Sequence, residues 1–99
     1  MRVILHPGAA EDFARALQHY ATIQPELGQR FYGHVNDLLA DIAAKPTLHR
    51  VYRTPFTRRH FRRPFPYAVV YVIKADFVWV LAVMHFKQPP GYWVYRSDT

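Results

Sequence analysis

Six histidines (His6, His19, His34, His49, His60 and His85), a single serine at Ser97 and no cysteine set the chemistry open to this 99-residue chain. Without cysteine there is no disulfide, thiolate metal ligand or thiol nucleophile. One serine near the terminus argues against a Ser-His-Asp device. No His-Glu-x-x-His or Cys/His spacing occurs, so neither a metal site nor a cofactor is expected. Four unclustered glycines offer no phosphate-cradling loop. Paired carboxylates are missing from the strand-rich half, where Asp76 stands alone in a turn. What the residues leave open is metal-free phosphoryl chemistry on RNA, in which the ribose 2′-hydroxyl attacks the adjacent phosphate. That reaction needs a base, an acid and cations for the developing charge. Arginine, with a pKa above ~12, cannot be the base. His60, His85, Lys87 and Tyr92 are the candidates for proton transfer, with Arg58, Arg59, Arg62 and Arg63 to stabilise charge. Beside four arginines His60 resists protonation, which suits a base. Taken singly, each histidine reads more readily as a surface or hydrogen-bonded structural residue.

Thirteen Lys+Arg against seven Asp+Glu give a net charge of +6 and a pI near 10.0. The excess favours an anionic partner: nucleic acid, an acidic protein segment or a membrane surface. Ten of the cations are arginine, whose fork suits bidentate phosphate or carboxylate contacts. Between Ile42 and Ala75 there is no acidic residue, while Lys45, Arg50, Arg53, Arg58, Arg59, Arg62, Arg63 and Lys74 all fall there. If residues 58–63 are extended, Arg58, His60 and Arg62 share one side and Arg59, Phe61 and Arg63 the other. An anion-binding surface is the functional reading; an edge strand that uses charge to discourage wrong pairing is the alternative.

The elements that position these groups follow from spacing. Arg2–Leu5 reads as a short strand, and Pro7 sits where a helix can begin. Phe13, Ala16, Leu17, Tyr20 and Ile23 recur at helical spacing, with Glu11 and Asp12 placed to complement the helix dipole. Gln24-Pro25 separates this helix from a second, striped by Leu27, Phe31, Val35, Leu38 and Ile42 and stopped at Lys45-Pro46. So short a join predicts an antiparallel helical hairpin. Leu48–Arg53 reads as a strand and Arg58–Arg63 as an exposed or edge strand. Tyr67–Ile73 and Phe77–Phe86, joined by Lys74-Ala75-Asp76, form a hairpin. The order β-α-α-β-β-β-β predicts one α+β domain over residues 1–99, with the helices on one face of a small, mostly antiparallel sheet.

That sheet has more apolar side chains than one face can bury. Simple alternation puts Phe77, Trp79, Leu81 and Val83 on one side and Val78, Val80, Ala82, Met84 and Phe86 on the other. The second face is then either a docking surface or covered by the chain's own loops and tail. The tail turns at Pro89-Pro90-Gly91 and carries Tyr92, Trp93 and Tyr95, which either pack or stack on bases; packing is expected of Trp93. No apolar run approaches the ~20 residues of a membrane span, and the opening apolar stretch is too short for a signal peptide, so a cytoplasmic location is expected.

Together these elements resemble the RelE/ParE superfamily of bacterial toxins from type II toxin–antitoxin (plasmid stabilisation) systems, nearly end to end. The likeness is carried by His6-Pro7 with Ala10-Glu11-Asp12-Phe13, by Gly28-Gln29-Arg30-Phe31 and by Ala44-Lys45-Pro46. Most telling are Arg63-Pro64-Phe65-Pro66-Tyr67-Ala68-Val69-Val70-Tyr71 and Ala82-Val83-Met84-His85-Phe86-Lys87-Gln88-Pro89-Pro90-Gly91-Tyr92-Trp93. The resemblance implies a toxin neutralised by a cognate acidic antitoxin, with a homodimer or a toxin–antitoxin hetero-oligomer both open. ParE-like members inhibit DNA gyrase; RelE-like members cut mRNA on the ribosome without a metal. For the ribonuclease pattern, Arg58, Arg59 and Arg62 lie on the matching basic strand, Lys87 follows the last strand and Tyr92 falls near the terminal tyrosine. The cation expected after the first tyrosine of the 67–73 strand falls on Ala68, and losing such a donor costs ~10²–10³ in rate. The long hairpin and the His85 tail lie nearer the ParE side. A ParE-like toxin is therefore the leading expectation, with a metal-independent endoribonuclease or an inert antitoxin-binding relative as alternatives.

Overall fold

Proline sets both helix starts. Pro7 and Pro25 stand in the first turns of α1 (Pro7–Ile23) and α2 (Pro25–Ala44), where a missing N–H costs nothing. Gln24 alone joins them, extended at φ −163°, so the second helix folds back on the first. Gly28 permits their close approach: a Cβ there would lie 2.9 Å from the Ala21 backbone. The predicted α2 stripe is buried at Phe31, Val35, Leu38 and Ile42, but Ile23 at the end of α1 is 61% exposed.

The computed structural model describes residues 1–61 and 64–98, with His60 described by its backbone; the expectations for Arg62 and Arg63 lie outside the described residues. Five strands form one sheet: β1 (Arg2–Leu5), β2 (Val51–Arg53), β3 (Phe56–His60), β4 (Tyr67–Ile73) and β5 (Phe77–His85). Their spatial order is β1-β5-β4-β3-β2. Only the β1–β5 pair is parallel; the others are antiparallel. The α+β order read from the sequence is the observed one.

Two strands differ from their expected extent. Pro46–Leu48 forms a 3-10 turn, so β2 begins only at Val51 and is fully exposed. β3 begins earlier than expected, at Phe56, whose ring packs 4.9 Å from Trp93. The basic strand is not an edge either: β3 lies between β4 and β2. The edge role falls to β2, which is short and irregular in register.

The largest departure from simple alternation is in β5. Val70 pairs with Ala82 but Tyr71 pairs with Val80, so Leu81 is an extra residue on β5. Such a bulge shifts every later side chain by one face. Val78, Val80 and Val83 thus join the helix-side core with Phe31, Val69 and Tyr71. Leu81, Ala82 and Met84 join Phe56, Val70 and Trp93 on the opposite face. That face is covered by the chain's own tail. Gly91 turns the chain at φ +88°, a conformation that glycine adopts at little cost, and Trp93 lands on the sheet 1% exposed. The tail reading of the second apolar face is the correct one, and the open docking face is not present.

Trp93→Ala should therefore cost about 3–5 kcal/mol of stability, as expected for an aromatic removed from a packed core. Urea denaturation measures it; a loss below about 1 kcal/mol would mean that the tail is not part of the core.

Candidate functional site

Bulging β5 leaves backbone groups that the strand ladder does not absorb, and two side chains meet them. Asp12 Oδ2 accepts from the Val83 N–H at 3.2 Å, from Arg96 Nη1 at 2.9 Å and from the Tyr92 hydroxyl at 3.0 Å. Arg96 Nη1 also donates to the Leu81 carbonyl at 2.9 Å. Both charges are buried, Asp12 at 5% and Arg96 at 8% exposure. Burial works against the guanidinium's charge, but the hydrogen bond and charge of Asp12 outweigh it and hold its pKa up. The guanidinium passes over Gly8, where a Cβ would lie 2.6 Å from Arg96 Cζ. Neither Glu11 nor Asp12 is the first-turn helix-dipole partner expected from the sequence, because α1 already begins at Pro7 and has no acid in its first turn; Glu11 is exposed and Asp12 buried. Its position between the buried Ala9 and Ala16 was the signal that placed it inward. Nothing in the tail singled out Arg96.

Of the proton-transfer candidates, Tyr92 sits in this clasp. Burial, then the charge of Asp12 and their hydrogen bond, push its phenol well above the ordinary tyrosine range. His85 lines a cavity of about 390 Å3 that adjoins this clasp, with Asp12, Arg15, His19, Tyr67 and Gln88. Its Nδ1 accepts from the Lys87 backbone N–H at 3.0 Å, and the His85 backbone N–H donates to Gln88 Oε1 at 2.8 Å. The His60 backbone pairs with Ala68, which pairs with Met84; it is therefore two strands, roughly 10 Å, from that end of β5. Lys87 is exposed. Thus Tyr92 and His85 lie near the Asp12 end of the sheet, whereas the basic strand lies towards the other edge.

Strand alternation separates the two described arginines of β3. Arg58 pairs with Val70 of the tail-side core and Arg59 with Val69 of the helix-side core, as the sequence predicts. Arg58 lies over the Tyr52 ring, 4.3 Å from its centroid. Arg59 turns towards His49, whose pKa is lowered by burial and then by the Arg59 charge, with Asp41 partly opposing. Arg59 Nε and His49 Nε2 are buried without hydrogen-bond partners, each at a cost of ~1–3 kcal/mol. His49, Arg50, Tyr52, Arg58 and Arg59 line one cavity of about 560 Å3. Sequence reasoning did not single out His49, which lies outside the Arg58–Arg63 run. Among the described residues no group of three or more His, Cys, Asp or Glu could hold a metal ion. No described helix is long and apolar enough to cross a membrane.

A strand, a helical hairpin and a four-strand meander with a basic corner make up this small α+β fold. A solved structure, the chromosomal ParDE TA system from P. aeruginosa, shares that fold at a TM-score of 0.73 and 16% identity, covering 86% of this chain and 95% of that one. The family model for the ParE toxin of the type II toxin–antitoxin system, parDE, matches residues 3–90. The chain belongs to that family. No curated protein matches it.

Two predictions follow from the buried groups. Asp12→Ala should cost about 3–5 kcal/mol because it strands the Arg96 charge, and the Asp12→Ala/Arg96→Met double variant should recover part of that loss. A double-mutant cycle by urea denaturation checks this; simple additivity would show that the pair is not coupled. Tyr71, fully buried, donates to the Pro46 carbonyl at 2.7 Å, and burial raises its pKa to about 12, with Arg59 partly opposing. The unfolded chain loses this proton first, near pH 10, so stability falls as pH rises from there towards 12. Tyr71→Phe should make that alkaline decline shallower; an unchanged slope would remove Tyr71 from the cause.

Proposed function

We propose that the chain binds a cognate acidic antitoxin through its basic corner and, when free of it, inhibits a cellular target in the cytoplasm, with DNA gyrase the expected one. The observation that carries this reading is the corner itself. Arg50, Arg58 and Arg59 stand there beside exposed Leu48, Val51 and Tyr52, with no acidic residue in the lining. Apolar anchors rimmed by guanidinium groups suit a partner segment that mixes apolar and acidic residues. With both sheet faces covered, the sheet offers a partner its two edges, β1 and β2, and the guanidinium groups of the cavity gather at β2. The working assembly in this reading is a toxin–antitoxin hetero-oligomer. Family membership supports the gyrase side of the superfamily. The dispersal of the candidate nuclease groups supports it too: Tyr92 is committed to Asp12 and His85 Nδ1 to the Lys87 N–H, away from Arg59.

Binding is measured by anisotropy with the product of the neighbouring reading frame. Replacing Arg58, Arg59, Arg62 and Arg63 with Gln should weaken it by roughly tenfold or more and flatten its salt dependence. Affinity unchanged across salt would exclude the corner. Purified protein should inhibit gyrase supercoiling and leave message intact on translating ribosomes. Cleavage that survives EDTA and vanishes in His85→Ala or Arg59→Ala would make the chain a metal-independent endoribonuclease instead. Neither effect, with antitoxin binding retained, would leave an inert relative.

A further inference from the structure

The cavity between β2 and β3 holds two orphaned nitrogens that antitoxin docking along an edge does not require. Arg59 Nε and His49 Nε2 are both buried, both lack a hydrogen-bond partner, and both belong to residues lining this space. They come from different parts of the chain: Arg59 from β3, and His49 from the residue after the 3-10 turn. Tyr71, whose ring stands edge-on 6.5 Å from His49, directs its hydroxyl to the Pro46 carbonyl. Buried polar groups in folded proteins nearly always find partners. Two unmet nitrogens on residues that line one cavity therefore point to an acceptor from outside the chain.

We propose that this cavity is a phosphate-binding site, with the oxyanion between the Arg59 guanidinium and the His49 imidazole and with Arg50 and Arg58 also in its lining. The number and spread of the basic groups decide between oxyanions. A carboxylate is planar, carries one charge and is satisfied by one guanidinium fork. Three arginines and a histidine, drawn from β3 and from the segment between the 3-10 turn and β2, suit a tetrahedral group with up to two charges and acceptors facing several directions. No acid lines the cavity; Asp41 acts on His49 from α2 without reaching the lining. At about 560 Å3 the space admits more than a bare ion. The phosphate can arrive on a free mononucleotide or on a polynucleotide backbone, which present the same group.

The test uses the purified full-length chain alone, so its failure leaves the antitoxin and gyrase readings standing. Nitrogen-15-labelled protein is titrated with inorganic phosphate at constant ionic strength. Saturable shifts should centre on the Arg59 side-chain N–H and the His49 ring, with sulfate competing and acetate not. Arg59→Gln should weaken binding by roughly tenfold or more, while Arg2→Gln on the far edge strand should leave it unchanged. His49→Gln, which removes the imidazole and keeps β3 intact, serves the same purpose if Arg59→Gln fails to fold. AMP and a short oligothymidylate separate the two sources. Equal affinity means a mononucleotide site; tighter, steeply salt-dependent oligonucleotide binding means a polynucleotide one. Non-saturable shifts over all the cations, unchanged affinity in the folded variants, or acetate competing as well as sulfate would overturn the proposal.

Discussion

The buried pair between Asp12 and Arg96 is the constraint on which the rest of the molecule depends. It ties helix α1, the bulged strand β5 and the tail into one unit, because Asp12 and Arg96 also meet the Val83 N–H and the Leu81 carbonyl. A buried ion pair alone is weak support for stability, since desolvation offsets much of the Coulomb attraction. Here each charge has further hydrogen bonds, and that satisfaction makes burial tolerable. The bulge, the clasp and the missing side chain at Gly8 form a consistent set: each would be unfavourable without the others.

Covering the second face follows from that clasp. With Arg96 anchored, the turn at Gly91 brings Trp93 down against Phe56 and the β4–β5 side chains. The sheet then has helices on one face and tail on the other, as strands apolar on both sides require. Neither sheet face is then left open to a partner, although Ile23, Tyr32, Phe86 and Tyr95 remain exposed elsewhere. Leu48, Val51 and Tyr52 are exposed at the β2 edge, and there the guanidinium groups gather.

Charge placement divides the molecule into two regions. Near α1 and the end of β5, Asp12, Gln88, His85 and Tyr92 are bound to one another or to backbone groups. At the β2–β3 corner, nitrogens of Arg59 and His49 are buried without partners. A site that exists to hold the fold satisfies its own polar groups; a site that exists to receive a ligand leaves some for it. The tail also holds one such atom, Trp93 Nε1, but only at the corner do two fall on residues that line one cavity.

Local signals determined the two helices, their short join at Gln24-Pro25, the order of the elements along the chain, the β4–β5 hairpin and the split of Arg58 from Arg59, because each is a pattern of period 3.6 or 2 or the break between two of them. The family likeness was also legible, in the Tyr67–Tyr71 strand and the residues that follow β5. Only the tertiary structure decided that Leu81 bulges, that Asp12 turns inward to Arg96 at the far end of the chain, that β3 is interior and β2 the edge, and that His49 joins Arg59. Those four depend on contacts between residues distant in sequence. A single inserted strand residue reverses which face every later side chain occupies, and no local pattern records where that insertion falls.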